Sequence, residues 1–360
     1  MPERPRLTPA IADVRRAVRD GLGALAASAD VRLDRGDLIL VACSGGADSL
    51  ALAAATKFEA VDSADAPGLS VGAVIVEHGL QAETAQVAQD TATKLRELGL
   101  DPVLVIPVSV SQEPASISGG TEAAARDARY QALASAANSS GAKAVLLGHT
   151  LNDQAETVLL GLARGSGLRS VAGMQTVTAA EGFVYLRPLL SVTRSQTEAC
   201  CTDSGLNFWT DPHNADPKFS RVRVRNLLLP AMEAALGPGV AEALARTSDL
   251  VREDLDFLES QADAAYDELV REGQLRTGPT GITISCQALA RLHQAVSGRV
   301  VHQALTILGA GISKNHVDEV LQLVLNWHGQ KELTLPRVRV FRQGDDLTLK
   351  STKTLRPGAC

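Results

Sequence analysis

A chain of 360 residues is long for one compact domain, so two are expected, and a hydrophobic share of 45% is enough to build their cores. A net charge of −6 excludes indiscriminate nucleic-acid binding over the whole surface, though not through a local basic patch. The five cysteines (43, 200, 201, 286, 360) show neither C-x-x-C spacing nor a disulfide framework, and no apolar run reaches about 18 residues, so a reduced cytoplasmic setting without a membrane is expected.

Thr8 to about Ala27 places Ile11, Val14, Val18, Leu22 and Leu25 at helical spacing and predicts a helix. Leu38–Val41 has the length and branching of a buried strand. Ser44-Gly45-Gly46-Ala47-Asp48-Ser49 follows, and an alanine-rich run from Leu50 reads as a helix. The six residues therefore occupy a strand–turn–helix corner. Gly45 and Gly46 permit positive φ and close approach of a ligand. The helix start offers unsatisfied N–H groups and partial positive charge, which suit a phosphate chain. Ser44 and Ser49 add hydroxyl donors. Asp48 adds a negative charge that makes sense if Mg²⁺ accompanies the phosphates. A plain strand-ending turn is the simpler reading of Gly-Gly, but the flanking Ser and Asp-Ser argue against it.

Residues 60–70 read as a loop. Val71–Val76 is a second buried strand, ending at Glu77-His78-Gly79-Leu80, and a long helix runs to about Leu98. Pro102–Ile106 is a third strand, 107–120 a loop, Thr121–Ala137 a helix, Ala144–Leu147 a fourth strand and Asn152–Ala163 a helix. Such alternation predicts an α/β fold, an open mostly parallel sheet with flanking helices. Ligands gather at the carboxyl ends of such strands, and the stretches 44–49, 77–80 and 148–157 all follow strands. Beyond Asp211 come a Pro-rich loop (211–218), a helix from Ser220 to about Leu236, and one long charged helix, Val240–Arg271, as a helical arm. A smaller α+β domain closes the chain, with helices at 288–308 and 314–328 and strands at 282–285, 332–335, 338–342 and 347–350. The expected domains are 1–217, 218–275 and 276–352.

Several residues admit two readings. Asp153 and Glu156 share a helix face in a first turn, where carboxylates favour the helix itself, yet such a pair also suits Mg²⁺ or a cationic amine. His149 is either a nucleotide contact or an ordinary polar residue. Arg126 and Arg129 are either solvated or neutralise phosphates or an adenylate. Arg164 and Arg169 flank two glycines in what reads as a phosphate-contacting loop. Lys218, Arg221, Arg223 and Arg225 form a basic segment, either a solvated helix face or a polyanion-binding edge.

The loop 44–49 resembles the pyrophosphate loop of the ATP pyrophosphatase superfamily. Taken in order with Glu77–Leu80, Glu122…Arg126…Arg129-Tyr130, Gly148-His149…Asp153-Gln-Ala-Glu156-Thr157, Arg164–Gly167, Arg187–Leu190 and Asp211-Pro-His-Asn214…Arg221–Arg225…Pro230, the chain resembles the tRNA(Ile)-lysidine synthetase family. The match runs closely over 36–232 and loosely over 240–350. It departs at Glu77, Thr150 and Asn152, where the family has Asp, His and Asp, and at Val222 and Asn226, where it has Asn and His.

The resemblance implies an adenine nucleotide α-hydrolase-like fold and an ATP-dependent ligase. That enzyme joins L-lysine to the wobble cytidine of isoleucine tRNA with a CAU anticodon, through an adenylated cytidine. It assigns ATP to Ser44, Gly45, Gly46, Ala47, Asp48, Ser49, His78 and His149, with Asp48 as the Mg²⁺ ligand. Asp48, Arg126, Arg129, Asp153 and Glu156 become catalytic, and Asp153 and Glu156 also hold the lysine. Arg164, Arg169, Arg221, Arg223 and Arg225 grip tRNA, with the C-terminal domain as a further tRNA contact. A homodimer is left open. The rivals are a tRNA thiolase or a small-molecule amide-forming ligase of the same superfamily, and a non-catalytic RNA-binding module.

Overall fold

The computed structural model describes residues 7–60, 68–77, 82–108, 120–165, 167–180, 182–210 and 216–352. The chain divides into two units, residues 1–165 with 173–248, and residues 166–172 with 249–360.

In the first unit, the Thr8 hydroxyl caps α1 (Pro9–Ala27) by accepting from the Ile11 N–H at 3.4 Å. The predicted apolar stripe of α1 is buried, each such side chain contributing about 1.5–3 kcal/mol. Strands and helices then alternate: β1 (Leu38–Ala42), α2 (Ala47–Glu59), β2 (Ser70–Glu77), α3 (Ala82–Glu97), β3 (Val103–Pro107), α4 (Gly120–Ser140), β4 (Ala144–Leu147) and α5 (Leu151–Arg164). A single turn, α6 (Leu168–Val171), belongs to the second unit. After it come β5 (Val177–Ala180), β6 (Phe183–Leu186) and α7 (Arg194–Asp203).

The sheet order is β3-β2-β1-β4-β6-β5, with every pair parallel except β5–β6. This is the open, mostly parallel sheet that the alternation predicts. On one face α1, α2, α3 and α7 share a core through Leu25, Leu50, Leu95 and Cys201. On the other, Leu133, Ala136 and Ala137 of α4 cover Leu40, Val74, Val145 and Tyr185. The chain runs outward from β1 to β2 and β3, then returns to β4 on the other side of β1. That reversal sets a crevice between the carboxyl ends of β1 and β4. Gly148, just past β4, packs against the start of α2: a Cβ there would stand 3.2 Å from the Ser49 nitrogen.

Sequence periodicity does not predict β5, β6 or α7. Four-residue strands are too short for alternation to show, and α7 buries only Thr197, Cys200 and Cys201. The helix expected over 220–236 is α8 (Ser220–Arg223), a π-helical stretch (Val224–Leu228) and α9 (Leu229–Leu236). Pro230 has no N–H to return to the preceding turn, and the helix widens just before it.

α10 (Val240–Arg271) has the predicted bounds. The expected segment 218–275 is not one body, however. Its basic residues and α10 up to Ser248 belong to the first unit, and the rest of α10 to the second.

The second unit contains β7 (Leu275–Gly278), β8 (Gly281–Ser285), α11 (Cys286–Arg291), α12 (Gln294–Ile307), α13 (Lys314–Leu325), β9 (Leu333–Leu335), β10 (Val338–Gln343) and β11 (Asp346–Ser351). Its strands form an antiparallel sheet in the order β7-β8-β11-β10-β9. Ile282, Ile284, Val338, Val340, Leu347 and Leu349 alternate inward to meet Val301, Ala304 and Val320. The helix expected over 288–308 is broken at Leu292-His293. There the His293 ring accepts from the Ala295 N–H at 3.2 Å and starts α12 afresh. No single helix among the described residues is long and apolar enough to cross a membrane.

Candidate active site

The turn after β1 demands glycine twice over. Gly45 has φ +85°, and a Cβ on it would lie 2.5 Å from the Thr91 hydroxyl. Gly46 begins α2 without a side-chain cap, so the first N–H groups of α2 are not taken by a capping side chain. The two serines divide the work. Ser49 is buried, and its hydroxyl accepts from the Ser44 N–H at 3.2 Å while donating to the Gly46 carbonyl at 3.0 Å. It folds the loop onto itself, whereas Ser44 is exposed. Ala47 is buried, and its carbonyl accepts from the Cys201 thiol at 3.3 Å.

Asp48, in the first turn of α2, points toward α7. Its carboxylate accepts from the Thr197 hydroxyl and, at 3.3 Å, from Arg194 Nε. Burial pushes the Asp48 carboxyl up, the Thr197 and Arg194 bonds oppose the rise, and the charge of Asp153 adds to it.

The second half of the site grows from the start of α5. Thr150 and Asp153 form a capping box. Asp153 Oδ2 accepts from the Thr150 N–H at 2.8 Å and from its hydroxyl at 2.9 Å. Asp153 Oδ1 accepts from Arg194 Nη2 at 3.1 Å and from Arg225 Nη2 at 3.3 Å. Burial disfavours the Asp153 charge, yet these arginines and the backbone bond hold the carboxyl below its usual range. Glu156, whose side chain has 0% exposure, accepts from Arg225 Nε at 2.6 Å and from Nη2 at 3.1 Å. Burial raises the Glu156 carboxyl, against the Arg225 bond. Asp48, Arg194, Asp153, Arg225 and Glu156 are thus one continuous ion-pair chain.

His149 precedes this cap. Burial, with Arg187, Arg129 and Arg221 nearby, lowers its pKa to about 3 against the pull of Asp153, so the ring is neutral at pH 7. Its Nδ1 is buried without a hydrogen-bond partner, an orphan that a ligand donor would satisfy. Arg129 lines a small open cavity of about 70 Å³ with Cys43, Ser44, Val74 and Leu133. Burial lowers the pKa of its guanidinium.

The structure therefore brings Ser44–Ser49, Arg129, His149, Asp153, Glu156 and Arg225 to the carboxyl ends of β1, β2 and β4. Arg225 does not stand on a solvated basic edge; it sits on Glu156. Arg221 reaches the Thr157 hydroxyl at 3.3 Å. Arg223 is exposed and folds back on the carbonyls of Pro217 and Lys218, at 2.7 and 2.8 Å. Arg126 is exposed, its guanidinium 5.1 Å from the centre of the Tyr130 ring. Arg164 is exposed at the end of α5. Arg169 lies in the second unit, paired with Glu259. His78 and residues 211–215 lie outside the described residues.

Sequence reasoning missed Arg194 and Thr197. A signal was present: Thr193-x-x-Gln196 is a capping box that starts α7, and Arg194 and Thr197, three apart, share its inner face. Arg187 carried no assigned role. It is buried and donates at 3.1 Å to both the Gln175 carbonyl and the Thr178 hydroxyl. Two departures from the family pattern are accommodated. Thr150 serves as the helix cap, and Asn152 Oδ1 accepts from the Arg194 N–H at 2.9 Å.

Comparison with known proteins adds the family. The PP-loop domain model matches residues 22–232, and that of the TilS substrate binding domain matches 284–347. A tRNA(Ile)-lysidine synthase of Salinispora arenicola is 48% identical over 347 residues, 95% of this chain and 97% of that protein. One of Streptomyces coelicolor is 48% identical over 317 residues, 87% of this chain and 85% of that protein. Among solved structures, a U34-tRNA thiolase from Methanococcus maripaludis superposes with TM-score 0.53 at 19% identity. It covers 68% of this chain and 80% of that one, a likeness of fold alone.

Proposed function

Because the chain belongs to the tRNA(Ile)-lysidine synthase family, we propose that it joins L-lysine to C2 of the wobble cytidine of an isoleucine tRNA with a CAU anticodon, converting ATP to AMP and pyrophosphate. The observation that carries this reading is a phosphate loop placed beside a carboxylate–arginine chain at one end of the sheet.

The C2 oxygen of cytosine is a poor leaving group. It attacks the α-phosphorus of ATP, pyrophosphate leaves, and the oxygen is carried as an adenylate. The lysine side-chain amine then attacks C2, and AMP departs with that oxygen. The open loop of Ser44 to Asp48 and the start of α2 receive the polyphosphate. Arg129, on the cavity beside Ser44, counters charge on the α-phosphate. Neutral His149 offers its free Nδ1 to a nucleotide donor. Asp153 and Glu156 attract the lysine ammonium and take the proton that the amine sheds. The cytosine must leave the anticodon stack to reach them. Arg164, Arg221 and Arg223 would meet tRNA phosphates in a cytoplasmic enzyme, with Arg169 a further candidate in the second unit, and Arg126, beside the Tyr130 ring, would be a second group to counter adenylate charge.

The donors suit Mg²⁺. Asp48 offers a half-buried carboxylate beside the phosphate loop, and Mg²⁺ is commonly held by one or two carboxylates together with substrate phosphates. Bound there, Mg²⁺ supplies positive charge against the departing pyrophosphate.

The test is pyrophosphate release from ATP and Mg²⁺, with and without L-lysine and the unmodified tRNA. Release that depends on the tRNA is expected. Release without RNA would point to a small-molecule ligase instead.

A further inference from the structure

The lysine site described above is already full of protein donors. A carboxylate offers about four lone-pair positions, and Asp153 accepts four hydrogen bonds, two from Thr150 and one each from Arg194 and Arg225. Glu156 is wholly buried, with both oxygens on Arg225. An incoming ammonium must therefore displace a guanidinium.

The two arginines are not equivalent. Arg225 grips Glu156 with two bonds, and its loss would strand that buried charge. Arg194 makes one bond to Asp153 and one to Asp48, at 3.1 and 3.3 Å. Asp48 lies on the phosphate loop itself, so the Arg194 guanidinium already borders the place where a polyphosphate would lie. A polyphosphate offers it charge-assisted bonds in exchange for the ones it gives up. We propose that Arg194 is the side chain that couples the two substrates: it closes Asp153 to an amine until a polyphosphate on the 44–49 loop draws its guanidinium away, so ATP binds before lysine.

This inference rests on the reading of Asp153 and Glu156 as the lysine site. Coupling between two sites is typically about 5–150-fold and reciprocal. Equilibrium dialysis of labelled L-lysine against the full chain, with and without a non-hydrolysable ATP analogue and Mg²⁺, measures it. In the unaltered protein the analogue should tighten lysine binding by at least about fivefold, and lysine should tighten the analogue by the same factor. Arg194→Gln should bind lysine without nucleotide at least about fivefold more tightly than the unaltered protein, with the coupling lost. Damage to the fold would weaken binding, not strengthen it. Arg194→Lys, which keeps a cation but loses the fork, should fall between the two.

Equal lysine affinity with and without nucleotide in the unaltered protein would overturn the proposal and leave the lysine site standing. No lysine binding under any condition, unmodified tRNA included, would overturn the lysine site and the proposal together.

Discussion

The phosphate loop and the carboxylate pair face the same crevice but are held in opposite ways. The loop takes its turn from within six residues, by positive φ at Gly45, Ser49 folded onto the Ser44 and Gly46 backbone, and the start of α2, and the Trp209 N–H and Cys201 thiol only add bonds to its carbonyls. Asp153 is capped locally by Thr150, but its charge and that of Glu156 are balanced from outside, by Arg194 and Arg225, which lie 41 and 69 to 72 positions further along the chain. A locally held motif keeps its geometry if distant elements are altered. A motif held by remote guanidinium groups loses charge balance as soon as one is removed.

Predictions follow that contrast from the largest effect to the smallest. Asp48→Ala should lower pyrophosphate release by about two to three orders of magnitude, the usual loss for a group that stabilises developing charge. Its circular dichroism should stay native, since the loop does not depend on that carboxylate. Normal turnover would remove Asp48 from the chemistry.

Arg225→Ala should act on stability as well as activity. It strands Glu156, whose side chain is fully buried, and removing one partner of such a pair costs about 3–5 kcal/mol, read as a lower denaturant midpoint. Arg225→Ala combined with Glu156→Leu should recover much of that loss. If the single variant is as stable as the parent, the carboxylates are not held from outside.

Gly45→Ala tests the locally held half. A Cβ at φ +85° and 2.5 Å from Thr91 Oγ1 should destabilise by about 1–3 kcal/mol. Thr91→Gly in the same chain should relieve only the steric part.

The last effect appears only as a pH dependence. The folded pKa of His149 is about 3, below its ordinary 6.5, so the unfolded chain binds more protons between those values. Stability from keeping this ring neutral is full above about 6.5 and is lost as pH falls toward 3. His149→Asn should flatten the stability profile in that window. An unchanged slope would mean that the ring is not kept neutral by the fold.

The same contrast explains what the sequence made legible. The βα alternation, the apolar stripe of α1 and the strand–turn–helix corner at 44–49 are local patterns, and each is found where it is expected. The placement of Asp153 and Glu156 on one face of α5 was equally readable. Their partners were not, because no local pattern shows that the π-helical stretch brings Arg225 onto Glu156 or that α7 brings Arg194 between two carboxylates. The basic segment 218–225 reads as one strip in sequence. In the fold it separates, with Arg223 turned outward and Arg225 turned into the site. The hairpin β5–β6 escaped for a different reason, since four residues per strand carry too little alternation to register.

The central claim, that this crevice transfers lysine to a wobble cytidine, is tested most directly by following the lysine. The chain is incubated with ATP, Mg²⁺, isotopically labelled L-lysine and unmodified isoleucine tRNA bearing CAU, and the RNA is then digested and its nucleosides separated. The account predicts label in the wobble nucleoside alone, with one AMP formed for each lysine incorporated. ATP cleaved to AMP and pyrophosphate with no label in the RNA would contradict it.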